Sequence, residues 1–282
     1  MLLGAHMSIA GGIDKALERG LQVGCDVIQI FTKSNNSWQA KPIGDKEIER
    51  FISIQRNKNI LCVAAHVSYL INCASPNKFL LEKSRQSLLI ELERAEKLKI
   101  PYLIMHPGSH IGSGEPEGLE RISDSLNFVL GKVLGGKTCI LLETTAGQGT
   151  AIGYSFEHLR EIIKRVKEDN RIGVCYDTCH TFAAGYDIRV KAKYKKTFSM
   201  FDEIIGLNRL KIFHFNDSKK DLGSHVDRHE HIGAGRLGLE SFRLILQDKR
   251  FRETPKILET PKGEDMKEDK ENLKVLRGLI KA

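Results

Sequence analysis

Eight short apolar runs recur along the chain, at 1–6, 27–32, 61–66, 102–106, 138–143, 172–177, 210–214 and 256–260. Each is followed by a longer segment of polar, helix-like pattern. Runs this short and this rich in β-branched or aromatic residues read as buried strands rather than helices. Strict strand–helix alternation implies parallel strands with helical crossovers. Eight such units fit a closed α/β barrel, the TIM (β/α)8 fold, better than an open sheet.

Helices are expected over 80–99, with Leu81, Leu88, Leu92 and Ala95 on one face and charges opposite, and over 155–168 behind a Ser155 cap. A last helix over 267–280 carries Leu273, Leu276 and Ile280 at helical spacing. No linker, repeat or low-complexity tract divides the 282 residues, so 1–282 is read as a single barrel domain.

The ends of the runs carry the chemistry. Six consecutive runs close on a potential metal ligand: His66, His106, Glu143, Asp177, His214 and Glu259. The carboxyl ends of barrel strands converge on one mouth, so these side chains meet despite their separation in sequence. A single histidine at a strand end is more often a hydrogen-bonded core residue. Six ligand types in series are different, because burying that many ionisable groups without a cation costs on the order of several kcal/mol each.

Two loop motifs add three more candidates. Asp177-Thr178-Cys179-His180 places His180 just past the sixth run, and Asp227-Arg228-His229 follows the seventh. The resulting set is five histidines (His66, His106, His180, His214, His229) and four carboxylates (Glu143, Asp177, Asp227, Glu259). Imidazole and carboxylate donors without thiolate suit catalytic zinc, with manganese or iron as alternatives. Nine donors are too many for one tetrahedral ion; three ions, two of them bridged by a carboxylate, account for the set. Four carboxylates against three divalent ions leave about two positive charges, which suits a phosphodiester. Cys179 is read as packing, His6, His110 and His231 as outer partners of ligands, and His158 and His225 as surface or loop residues.

The net charge of +8 favours a polyanionic partner only weakly. The six cysteines form no C-x-x-C pair and sit mostly in apolar runs, which suggests reduced thiols in a reducing compartment. No stretch has the length and apolarity of a membrane span or secretion signal, so a soluble cytoplasmic protein with no membrane association is expected.

The segments His106-Pro107-Gly108-Ser109-His110, Glu143-Thr144-Thr145-Ala146-Gly147-Gln148-Gly149, Gly173-Val174-Cys175-Tyr176-Asp177-Thr178-Cys179-His180, His214-Phe215-Asn216-Asp217-Ser218-Lys219 and Val226-Asp227-Arg228-His229 resemble endonuclease IV. The resemblance runs from Gly4-Ala5-His6 to Glu259-Thr260. It implies a TIM barrel with three zinc ions: the first on His66, His106 and Glu143, the second on Glu143, Asp177, His214 and Glu259, the third on His180, Asp227 and His229.

It further implies a zinc-dependent apurinic/apyrimidinic endonuclease of the deoxyribonuclease IV type, acting on double-stranded DNA. Such an enzyme cuts 5′ to abasic sites by metal-bound hydroxide, leaves a 3′-hydroxyl and clears blocked 3′ ends; Glu143 is then catalytic, and a monomer is the expected state. Tyr69 matches a minor-groove inserting aromatic, and Asn36 lies in a second DNA-probing loop where some relatives carry arginine. Val67 stands beside the first ligand where an acidic residue can occur. Lys33, Lys219, Lys220, Arg228 and Lys262 are candidate phosphate contacts. The competing expectations are a sugar isomerase or epimerase on a similar metal-dependent barrel, which needs fewer ligands, and a damage-binding protein with structural zinc.

Overall fold

Strand pleating sorts this chain into two cores. The structure is a computed structural model and describes residues 1–281. Its barrel strands are β1 (Leu3–Met7), β2 (Val27–Phe31), β3 (Leu61–His66), β4 (Tyr102–Met105), β5 (Cys139–Glu143), β6 (Ile172–Asp177), β7 (Leu210–Phe215) and β8 (Lys256–Leu258). They pair in parallel in sequence order, and β8 returns to β1 through Leu3 opposite Lys256, closing the TIM barrel. Each expected apolar run overlaps its strand, with ends that differ by at most two residues.

Side chains alternate across a strand, so one set points into the barrel and the other toward the helices. The inner set is small: Val27, Ala64, Ile104, Leu141, Cys175, Ile212 and Ile257 form a buried cluster of their own. On β1 the equivalent place is Gly4, where a Cβ would lie 1.7 Å from the Val27 carbonyl oxygen. Only glycine fits there. The outer set packs against the helices in a larger, Leu-, Ile- and Phe-rich core.

Two residues beyond each inner residue, the pleat points inward again, now at the mouth. From β1 to β8 this gives His6, Gln29, His66, His106, Glu143, Asp177, His214 and Glu259. The ladder slips register between Ile28 and Gln29 and between Val174 and Cys175. Such irregularities re-aim neighbouring side chains, and both lie just below mouth residues.

The expected helices form as α3 (Lys78–Lys97), α5 (Phe156–Arg165) and α9 (Lys267–Lys281). The Ser155 hydroxyl accepts from the His158 N–H at 3.2 Å, as the sequence suggests. Two details differ. On α3 the charges are not all opposite the apolar face, because Glu91 is buried beside Leu88 and Leu92. On α9, Leu273, Leu276 and Leu279 are buried, whereas Ile280, although it keeps helical spacing with 273 and 276, is exposed in the last turn. All six cysteines are free thiols. Among the described residues no helix is long and apolar enough to cross a membrane.

The first residue of β8, Lys256, is buried and donates to the Phe251 carbonyl. Burial lowers its pKa to about 8. Its ordinary value is about 10.4, so folded-state stability from this group rises as pH climbs from about 8 toward 10 and is lost below 8. Lys256→Met should therefore stabilise the protein at pH 7 by about 2 kcal/mol, the relieved charge less one lost hydrogen bond. Denaturant melts at pH 7 and pH 10 check this: the gain should shrink at the higher pH, and an equal loss at both would refute it.

Candidate metal centre at the barrel mouth

The donors gathered at the mouth fall into three groups. Glu143 ends β5, is fully buried and turns each carboxylate oxygen to a different side. Its Oε2 lies 3.0 Å from His66 Nε2 and 3.1 Å from His106 Nε2. Its Oε1 lies 2.8 Å from His214 Nδ1, which is 3.1 Å from Glu259 Oε2 and 4.0 Å from Asp177 Oδ2.

The third group does not come from the strands. His180 stands in α6 (Thr178–Ala183), the short helix capped by Asp177, whose Oδ1 accepts from the His180 N–H at 2.8 Å. His229 lies on an antiparallel ribbon that pairs Asp217–Ser218 with His229–Glu230. Asp227 joins them, with one oxygen 3.1 Å from His180 Nε2 and the other 3.3 Å from His229 Nε2. Donor atoms of His66, His106 and Glu143, of Glu143, Asp177, His214 and Glu259, and of His180, Asp227 and His229 each converge closely enough to hold one ion.

Four of the histidines are oriented by their second nitrogen. His66 Nδ1 donates to the Val67 carbonyl at 2.8 Å, His180 Nδ1 to the Thr144 carbonyl at 2.8 Å and His229 Nδ1 to the Glu259 carbonyl at 3.1 Å. His214 Nε2 donates to Gln29 Oε1 at 2.8 Å. A carbonyl oxygen only accepts, so each of these nitrogens carries a proton and the other nitrogen is the one turned toward the donor group. That is the arrangement by which outer partners prepare imidazole for a metal. Because Val67 acts through its carbonyl, its apolar side chain does not disturb His66.

The charge balance agrees. Burial alone would push Glu143 up, but His214 and His106 beside it hold its carboxyl well below the usual range. Burial likewise opposes ionisation of Asp227, and His180 and His229 nevertheless bring it down to about 2. His180 resists its own burial and is raised well above an ordinary histidine by Asp177 and Asp227. Carboxylates kept ionised out of water need cations among them. Cys179 is fully buried, close enough to Asp177 and His229 to offer a donor as well, and burial pushes its thiol up to about 12.

Sequence reasoning missed the support. Gln29 donates to Glu259 Oε1 at 2.6 Å while holding His214, and Asn216 donates to Asp177 Oδ2 at 2.7 Å. Asp217 accepts from Gly233, Leu237 and Gly238 N–H groups and so fixes the loop behind the ribbon. Gln29 was findable, since it follows inner Val27 by two residues as Glu143 follows Leu141. His6 is the outer partner expected, 3.0 Å from Gln29 Nε2. His110 and His231 are not: they bond to the Gly114 N–H and to Asn272. His158 pairs with Glu115 at 3.3 Å, half-buried rather than on the surface, while His225 stays in an exposed loop.

Around the donors, a pocket of about 260 Å³ opens between Tyr69, Asn72, His106, Ser109, Gln148 and Asp227. Tyr69 is 62% exposed, its ring edge-on to Phe31. Asn36 and Arg228 are exposed in neighbouring loops, as are Lys219 and Lys220. Lys262 is engaged by the His6 carbonyl and Asp269. Lys33 departs from expectation. It is only 5% exposed and its ammonium meets Glu91, so it faces into the protein and is no phosphate contact.

The closed parallel barrel with its donors at the carboxyl end is of the xylose isomerase-like TIM barrel class, whose family model matches residues 17–279. Within that class the chain belongs to the endonuclease IV family. It is 54% identical over 278 residues to "Probable endonuclease 4" of Chloroflexus aggregans, covering 99% of this chain and 97% of that one. Endonuclease IV from Thermus thermophilus superposes with a TM-score of 0.87 at 34% identity, covering 100% and 99% of the two chains. A D-tagatose 3-epimerase-like protein superposes at 0.72 and 19% identity, covering 100% and 98%, a likeness of fold alone.

Gln29 holds two ligands of the second group, His214 and Glu259, in place without joining it. Gln29→Leu should weaken divalent-metal retention roughly 10- to 100-fold, read by competition with a chromogenic chelator. Retention equal to wild type would show that His214 and Glu259 need no such partner.

Proposed function

We infer that this protein is a metal-dependent DNA-repair endonuclease that hydrolyses the phosphodiester on the 5′ side of abasic sites. The observation that carries the reading is the buried Glu143 carboxylate shared by two donor groups, with a third group beside it. A sugar epimerase on this fold needs fewer ligands, and the likeness to one reaches the barrel only.

His66, His106 and Glu143 would hold one ion, Glu143, Asp177, His214 and Glu259 a second, and His180, Asp227 and His229 a third. The donor chemistry favours zinc. Bound there, such ions supply an acidified water and offset charge developing on the phosphoryl and leaving oxygens. The chain's own part is orientation. Glu143, ionised and fixed between its histidines, sets the line along which water approaches phosphorus. Water oxygen bonds to phosphorus, the bond from phosphorus to O3′ breaks, and O3′ takes a proton to become the 3′-hydroxyl. The same chemistry removes blocking groups esterified at 3′ ends.

The substrate is double-stranded DNA with abasic sites or blocked 3′ ends. Tyr69 and Asn36 form the probing edge, and Arg228, beside Asp227 and His229, meets backbone phosphate. An abasic nucleotide lacks base pairing and stacking, so turning it into the pocket costs less than flipping an intact one. The protein acts as a cytoplasmic monomer.

Cleavage of a labelled abasic duplex, with ketoses as the parallel substrate, tests the function. Only the duplex should react, prolonged chelation should abolish cutting, and elemental analysis should find about three metal equivalents per chain, mostly zinc. Epimerised ketose without cut DNA would reverse the reading. Glu143→Gln should lower turnover by orders of magnitude while the fold survives; wild-type turnover in the fully metallated variant would remove Glu143 from the centre of the reaction.

A further inference from the structure

Two loops meet over the first donor group: one joins β2 to α2 (Asp45–Lys58), the other joins β3 to α3. The first carries Asn36 and the second Tyr69. Both are tied to a single carboxylate on α3. Glu91 has no exposed surface. Its Oε1 accepts from the Ser68 N–H at 3.0 Å and meets the Lys33 ammonium at 3.3 Å. Lys33 in turn donates to the Ser37 carbonyl at 2.5 Å, and the Ser68 hydroxyl donates to the Asn35 carbonyl at 2.5 Å. One turn along α3, Arg94 donates to the carbonyls of Thr32 at 3.1 Å and Lys41 at 2.6 Å.

The tied residues adjoin the probing ones: Ser68 precedes Tyr69, and Asn35 precedes Asn36. The first loop also borders an open cleft of about 600 Å³, which Lys33 and Arg94 help to line, so these ties are what hold the loop to α3. A buried ion pair is a poor source of stability compared with apolar packing of the same volume. Among the described residues Glu91 Oε2 has no hydrogen-bond partner, which makes this pair a still weaker stabiliser. What the pair does provide is registry, because a charge without its counter-charge has nowhere else to go inside the protein.

We propose that Glu91, paired with Lys33, is a positioning residue for lesion recognition: it locks the loops bearing Tyr69 and Asn36 into one rigid edge. The proposal rests on the reading of those loops as the DNA-probing edge. Glu91→Gln keeps the side-chain shape and can still accept from Ser68, but strands the Lys33 ammonium and so loosens the first loop's tie to α3, leaving the Ser68–Asn35 link alone to join the two loops. Ser68→Ala removes the hydroxyl's link to Asn35 and the bond it accepts from the Leu70 N–H but leaves the buried charges paired, so it remains informative if the glutamine variant folds poorly.

The test uses the full-length, zinc-loaded protein and has a readout without DNA. Trp38 is the only tryptophan, lies in the first loop and carries the Lys83 ammonium 4.6 Å over its ring. Acrylamide quenching of Trp38 should increase in Glu91→Gln and, less strongly, in Ser68→Ala, with metal content unchanged. On abasic duplex, KM should rise roughly fivefold or more in Glu91→Gln, while kcat stays within about twofold of wild type. Because the effect runs through Tyr69, most of it should vanish when Glu91→Gln is made in a Tyr69→Ala background.

Unchanged quenching and KM in both variants, or a full additive penalty in the Tyr69→Ala background, overturns the proposal. The underlying reading fails separately, if wild type does not prefer abasic over intact duplex or if Tyr69→Ala leaves that preference intact.

Discussion

Everything at the mouth of this barrel is arranged around a carboxylate held out of water. Glu143 has no exposed surface, yet its neighbours keep it ionised, and each of its oxygens faces a different set of imidazoles. Such a group is tolerable only where positive charge is close and its direction is fixed. The histidines meet that condition by committing their second nitrogens to carbonyl oxygens of Val67, Thr144, Glu259 and Gln29. Three backbone carbonyls and the Gln29 side-chain amide thus orient the rings, and the rings set the centre.

The pleat explains why the arrangement was so legible in the sequence. With a period of two, each inner residue is followed two positions later by a mouth residue, so a ligand appears at the end of six apolar runs in succession. The strand boundaries and the donors could be read because they depend on local pattern. What could not be read was the direction of polar side chains within loops and helices. Lys33 looked like a cation in a mouth loop, and nothing local reveals that its ammonium turns inward to Glu91. Glu91 did carry a signal: it stands three residues after Leu88 and four before Ala95, on the face those residues bury. Treating every charge as solvent-facing hid it.

The inner layer shows how little of the barrel itself is tied to one chemistry. Gly4, Ala64, Cys175 and five aliphatic residues fill it, and they would serve any reaction performed above them. The epimerase-like neighbour has the same barrel with little of the same sequence. What distinguishes this chain sits one layer higher, in the donors and in the loops that surround the pocket, consistent with function being carried by sites placed on a common scaffold.

The three donor groups also differ in where they come from. Two are built entirely on residues at strand ends and belong to the barrel. The third takes its side chains from a six-residue helix, from Asp227 and from a two-residue ribbon anchored by Asp217. It is an appendage. A barrel that already holds the first two groups gains the third by elaborating the connections after two adjacent strands, and can shed it without disturbing a strand. The centre is therefore modular, with two donor groups set in the barrel wall and a third carried by the connections at its rim.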